Sequence, residues 1–321
     1  MDILGDFGSP DPGSNPGGLN TKKTKMNYKW ELSGELDYFI NLENPVSIER
    51  EGVLVQFIPS VRRNKKFIDF HIRTETRDKS VEDATIRCRT IFYRILDMCA
   101  FLESQGIKAR FRPIVLMNEE ELINKGLPLP EDREFIVPRV QYEPRISNFG
   151  EAMSLYERVE HNLRGADLFR CISWFSRGLK ADDEIDKFIS LWISFNILYE
   201  TYYRKRPHER PNQLNFIQNV VDLYDYEFKE KLLTGERNQQ LIADLISYES
   251  SDGEKTKCGY RLQKNINTNM DYAFENFLLC MYRIRCDLFH GDKPLFQLYP
   301  LVKDCNRVLV DIIKEGVMKY L

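Results

Sequence analysis

The chain has 321 residues, enough for about two domains at roughly 100 to 200 residues each. Hydrophobic residues at 42% can fill a real core, and a formal net charge of -3 excludes a molecule drawn to nucleic acid by its overall field, so any RNA contact must be local. Seven cysteines, an odd number with no CxxC spacing, predict a reduced cytoplasmic chain, and the absence of a run of about 18 apolar residues predicts no membrane partner.

The first segment, "MDILGDFGSPDPGSNPGG", is too poor in apolar residues to order itself, so residues 1–25 read as a disordered tail, with Met26 as an alternative start. It lacks the basic and apolar regions of a signal peptide.

Residues 26–126 mix strand and helix signals and predict an α+β domain. "YKWEL" sets Tyr28, Trp30 and Leu32 on one face, and "FIDFHIR" alternates Ile68, Phe70 and Ile72 with polar residues. With "GVLVQFIP" it predicts a hairpin whose tip carries Arg62, Arg63, Lys65 and Lys66, a cluster that reads first as a solvated loop. A long amphipathic helix follows Ser80, with Asp83 as a capping signal and Gly106 placed to end it. "IKARFRPIVL" reads as a strand and "NEEELINKG" as a short helix.

Residues 127–150 hold four prolines without a sustained period and read as a linker. From 151 to 321 only helical periods recur, over 151–163, 165–179, 184–204, 212–224, 236–248, 270–289 and 297–320, which predicts an all-α bundle. The aromatic stripe Phe188, Trp192, Phe195, Tyr199 and Tyr202 reads as core. Beyond it Arg204, Lys205, Arg206, His208 and Arg210 crowd one turn, a secondary candidate for holding an RNA backbone.

The strongest chemical signal is "CMYRIRCDLFHGDKP", residues 280–294, where an apolar helix closes on two arginines, a histidine and a stopping glycine. A histidine there feels the negative end of the helix dipole and can take or give a proton, and an arginine beside it can fork onto phosphate oxygens. On an ideal helix Arg283 falls about 20° from the face of His290 and Arg285 about 140° away, whereas a helix ending before His290 would let Arg285 converge too. Both arginines stay in play. The structural alternative is a histidine that caps the helix, with the arginines paired to acids such as Asp287 or Asp292.

"YRIRCDLFHGDKP" resembles the signature of the HEPN superfamily, particularly the Apea-like HEPN proteins, in which an Arg precedes a His with four to six residues between them at a helix end, often as "RNxLFHG". "FISLWISFNILYETYY" resembles that family's earlier aromatic helix, so the likeness covers about 150–321. It implies a HEPN-type helical bundle acting as a metal-independent endoribonuclease in toxin, phage-defence or RNA-processing roles. It further implies no cofactor, two protomers that pool their Arg and His, and Arg285, His290 and Arg283 as the catalytic set. Cys286 departs from the usual Asn or other polar residue after the arginine. A non-catalytic RNA-binding or scaffold module is the alternative. Domain order suggests a regulatory ligand or partner protein for the N-terminal domain. Cys286 and His290, four apart, share a helix face as zinc ligands do, but two ligands make no site.

Overall fold

The computed structural model describes residues 27–36, 42, 44–62, 65–77, 79–117, 149–203, 217, 220–249, 256–291 and 293–321. The expectations placed on the 1–25 tail, the "NEEELINKG" helix, the linker up to residue 148, the side chains of the basic hairpin tip and the cluster 204–210 lie outside the described residues.

Alternation in the first third produces one antiparallel sheet. Its strands are β1 (Tyr28–Leu36), β2 (Val46–Arg50), β3 (Val53–Arg62), β4 (Lys65–Thr76), β5 (Ala109–Phe111) and β6 (Val115–Leu116). They lie in the order β2-β3-β4-β1-β5, with β6 also pairing β1. The expected hairpin is β3 with β4, in register from Val53↔Thr74 to Arg62↔Lys65. Because side chains alternate along a strand, Trp30, Leu32, Val53, Val55, Phe57, Ile68, Phe70 and Ile72 are all buried while their neighbours are not.

That apolar face is covered by α1 (Val81–Glu103), whose start is fixed by the Ser80 hydroxyl accepting from the Asp83 amide at 3.1 Å. Phe92 packs on Phe70 and Phe57, with ring centroids 4.2 and 5.9 Å away. The helix ends at Ser104, in the left-handed region at φ 53°, two residues before the glycine expected to end it. Gly106 serves another purpose: a Cβ there would sit 2.5 Å from the Leu179 carbonyl oxygen, so only glycine lets the chain pass that close.

The second half is helical, as expected: α2 (Phe149–Glu160), α3 (Gly165–Lys180), α4 (Glu184–Tyr203), α5 (Tyr226–Thr234), α6 (Gln239–Ser247), α7 (Lys257–Asn265), α8 (Met270–His290) and α9 (Leu295–Tyr320). The protein is therefore α+β overall. Of the helix expected over 212–224, the described end is a 3-10 turn, Val221–Leu223, and a second such turn, Glu236–Asn238, precedes α6.

The two halves share one apolar core. The last turns of α1 are buried on every side, from Ile95 to Phe101, because the sheet covers one face and α2 and α3 the other. Phe101 meets Phe175 of α3 at 5.1 Å, and each such buried ring stabilises the fold by about 1.5–3 kcal/mol. Phe188, Leu191, Trp192, Phe195 and Leu198 of α4 extend that core, so the predicted aromatic stripe does pack inside. Among the described residues no helix is long and apolar enough to cross a membrane.

Candidate functional site

Helix α8 begins where the Asn269 side chain accepts from the Tyr272 amide at 3.0 Å. It runs through His290 and closes on Gly291, at φ 70°, whose amide donates to the Asp287 carbonyl. The histidine thus belongs to the last helical turn, and ideal helix angles apply to it. Arg283 and Asp287 share its face, while Arg285 faces another side.

The buried side of α8 follows the series Ala273, Phe277, Cys280, Ile284 and then Asp287, a carboxylate where an apolar residue belongs. Asp287 is 0% exposed and has two partners. The Tyr248 hydroxyl, from the end of α6, donates to Oδ2 at 2.6 Å, and the Arg283 Nε lies 3.0 Å from Oδ1, in ion-pair contact without hydrogen-bond alignment. Burial first, and then the Asp287 carboxylate, push the Tyr248 hydroxyl far above its ordinary pKa, so it stays a donor. The Lys293 ammonium sits 4.1 Å from the Tyr248 ring centroid and donates to the Glu249 carbonyl, which ties down the loop that follows His290.

Arg285 points elsewhere. Its guanidinium stacks 4.5 Å over the ring of Phe289, and its Nε is buried with no hydrogen-bond partner among the described residues. Its charge reaches Tyr199 of α4, whose hydroxyl burial has pushed up to about 12, and it opposes that shift. Burial also raises Tyr282, as does its hydrogen bond to Cys286, with Arg285 again opposing. One helix end therefore holds two unlike arginines. Arg283 is neutralised by a buried acid, as the structural alternative anticipated, and Arg285 is set among aromatic rings without a carboxylate.

His290 is exposed and makes no hydrogen bond or ion pair with the described residues. The other described histidines do: His71 Nδ1 lies 3.0 Å from Glu31 and His161 Nδ1 lies 2.7 Å from the Glu157 carbonyl. No polar contact joins His290 to either arginine within the described part of the chain. At a rise of about 1.5 Å per residue, Arg283 and Arg285 lie about 10 and about 7.5 Å before His290 along the axis. Arg204, Lys205, Arg206, His208 and Arg210 lie outside the described residues, as does Asp292.

Around the helix end Phe289, Leu295, Phe296 and Tyr299 are exposed, and the last three line a cleft of about 500 Å³ with Asp183, Ile185 and Pro300. Among the described residues no group of three or more His, Cys, Asp or Glu side chains is placed to hold a metal ion. Sequence reasoning named Asp287 only as one of two acids and missed Tyr248 and Lys293. A charge interrupting the apolar series of α8 was the available signal for Asp287. Nothing local marked Tyr248, which reaches it from another helix.

No family model, no curated protein and no solved structure matches the chain.

Proposed function

We propose that the helical half is a metal-independent endoribonuclease of HEPN type. The observation that supports this reading is the pair of uncommitted groups at the end of α8. His290 is exposed without a described partner, and Arg285 carries a charge that no described acid neutralises. The function of such a pair in this reading is simple chemistry. A phosphate clamped by a guanidinium is activated for attack by the neighbouring 2'-hydroxyl, and imidazole moves the protons.

In that reaction the 2'-oxygen bonds to phosphorus and the bond from phosphorus to the 5'-oxygen breaks. One proton leaves the 2'-hydroxyl and one joins the leaving oxygen, giving a 2',3'-cyclic phosphate and a free 5'-hydroxyl. The step needs a base and an acid, and one chain offers a single histidine at this helix end. A second copy supplies the other across a two-fold axis, and the exposed Phe289, Leu295, Phe296 and Tyr299 give the two copies apolar surface to bury. The same pairing answers the separation of Arg285 from His290 within one chain. Arg283, on the face of His290 but bound to Asp287, acts as the auxiliary cation. The sheet and α1, through the core they share with α2 and α3, would carry a regulatory ligand or partner signal to the bundle.

The test is cleavage of labelled RNA by the purified chain in the presence of a chelator. Wild type should yield 2',3'-cyclic ends, and His290→Ala should lose about 10²- to 10⁴-fold in rate, the range of a proton-transfer group. Arg285→Ala should lose comparably. Equal cleavage by all three proteins overturns the assignment.

A second reading, a module that binds RNA or a partner protein without cutting, is favoured by one observation. Cys286 stands beside Arg285 where the resemblance leads one to expect Asn or another polar residue, and a thiol is a weak hydrogen-bond donor and acceptor. It predicts weaker RNA binding in the same two variants and no cyclic phosphate ends from any of the proteins.

A further inference from the structure

The first turns of α9 depart from the rest of the bundle. From Leu295 to Pro300 only Leu298 is buried, while Leu295, Phe296 and Tyr299 are 56%, 77% and 41% exposed. A short helical stretch is held by the apolar side it buries, and this one turns most of that side to water. Further along, the same helix buries Val302, Cys305, Val308, Leu309 and Ile312 in the ordinary way.

The exposed residues are gathered in one place. Leu295, Phe296, Tyr299 and Pro300 line the cleft of about 500 Å³ together with Asp183 and Ile185 at the start of α4. Asp183 is the one charged residue of that lining among the described residues. Its Oδ1 accepts from the Ile185 and Asp186 amides at 2.8 and 3.2 Å, which orients the carboxylate and leaves Oδ2 without a described hydrogen bond. Lys108 and Asn306 engage the flanking acids Asp182 and Glu184, at 3.1 and 2.8 Å, so Asp183 and the exposed Asp186 carry the charge that nothing described meets. The opposite charge stands further along α9. Phe296, Tyr299 and Lys303 follow at spacings of three and four and share one helix face. Lys303 is exposed and forms no ion pair with the described residues. One stripe therefore runs from a cleft holding an acid, across two aromatic rings, to a cation about 10 Å further along the axis.

We propose that a second copy of the chain occupies this cleft, with the two α9 helices antiparallel across a two-fold axis near Tyr299. In that arrangement Phe296 of each copy lies beside the partner's Lys303. Each lysine enters the other copy's cleft and pairs with Asp183, and the aromatic rings between them are covered. An isologous contact needs a surface complementary to itself, and an acid and a cation at opposite ends of an apolar stripe supply it. The lysine stem lies along Phe296 while its ammonium reaches the carboxylate, so one side chain covers apolar surface and closes the ion pair. The acidic lining argues against RNA in the same place. This contact gives a form to the pairing on which the ribonuclease reading rests. Oligomeric state is measured without RNA, so either can fail while the other stands.

The test is sedimentation velocity of the full chain over a range of micromolar concentrations. Wild type should dimerise and Phe296→Glu should sediment as a monomer. Lys303→Glu and Asp183→Lys should each weaken dimerisation about 10- to 10²-fold, and the double variant, which restores the pair in the opposite sense, should recover most of the loss. Asp183→Asn keeps the oxygen that caps α4 and removes only the charge, so weaker pairing in that variant separates the ion pair from the cap. Tyr299→Cys should cross-link to its own counterpart under a short bismaleimide, as a residue beside a two-fold axis does. A wild type that stays monomeric, which would give the cleft to another occupant, overturns the proposal. So does a dimer indifferent to Phe296→Glu, or a double variant that pairs no more tightly than either single one.

Discussion

The Tyr248 hydroxyl donates a 2.6 Å hydrogen bond to an Asp287 carboxylate that is 0% exposed. This bond sets the geometry of the whole helix end. A buried carboxylate without partners would cost several kcal/mol, so Asp287 needs both Tyr248 and the Arg283 guanidinium. Satisfying it engages the side chain of Arg283 and joins α6 to the last turns of α8, while Arg285 and His290 have no ion-pair partner among the described residues.

Tyr248→Phe should therefore destabilise the protein by about 1–3 kcal/mol in urea unfolding, the range for a buried acceptor that loses its donor. The variant should also change the alkaline limb. Tyr248 is raised in the folded state, so as pH passes the ordinary tyrosine value of about 10 the unfolded chain loses its proton first. Stability is full below that pH and falls as pH rises beyond it. Phenylalanine has no proton to lose, so the variant should fall less steeply there. An equal slope in both proteins would place the hydrogen bond outside the folding energetics.

A second buried carboxylate joins the two halves. Asp97 of α1 lies 3.2 Å from Lys180 at the end of α3, and burial raises its pKa despite that ammonium. Lys180→Met should cost about 3 kcal/mol at neutral pH because it strands the charge. The raised folded pKa gives the sign. Asp97 imposes no penalty when protonated in both states, and stability is lost as pH rises past the ordinary aspartate value of about 4. The cost of Lys180→Met should accordingly shrink in acid. Thermal unfolding of both proteins at acidic and neutral pH measures this, and a pH-independent difference would contradict it.

What the sequence revealed depended on how far apart the cooperating residues lie. The Ser80 cap, the β3–β4 hairpin and the glycine that closes α8 are local chemistry, and each was readable. Helices α5 and α7 were not, because each is a short, largely polar segment that buries few positions, Lys229, Leu232 and Leu233 in one and Gly259 and Leu262 in the other. Strand β2 was missed for a similar reason: five residues at the sheet edge bury only Ile48. At the site, the placing of Arg283, Arg285 and His290 at a helix end was legible, as was the pairing of an arginine with Asp287. The Tyr248 bond that completes the Asp287 site was not, because Tyr248 enters from 39 residues away. The shared core also bears on the boundary drawn at 127–150. Removing residues 1–126 would strip α1 from α2 and α3, so truncation is a poor way to ask whether the sheet restrains the bundle.

Cys286 offers a gain-of-function test of the ribonuclease reading. Its thiol is a weak hydrogen-bond donor and acceptor. Cys286→Asn supplies an amide beside Arg285 that can hold a phosphate oxygen. The expected result is cleavage about ten-fold faster at saturating RNA, equivalent to about 1.4 kcal/mol of transition-state stabilisation, with unchanged RNA affinity. Tighter binding without faster cleavage would favour the module that holds RNA without cutting it.

The two arginines should separate stability from catalysis. Arg283→Ala removes the cation from a buried carboxylate and should cost about 3 kcal/mol of stability, with Tyr248 limiting the damage. Arg285→Ala loses a stack on an exposed ring, about 0.5–1 kcal/mol, and should leave the unfolding midpoint nearly unchanged while cleavage collapses. Lysine replacements sharpen the contrast. Arg285→Lys keeps the charge but loses the planar fork, so it should recover RNA binding more than rate. Arg283→Lys should recover most of the stability, because Asp287 needs a cation rather than a fork. The opposite outcome, a stable but inactive Arg283→Ala and a destabilised, active Arg285→Ala, would transfer the phosphate-clamping role to Arg283, the arginine that shares a helix face with His290.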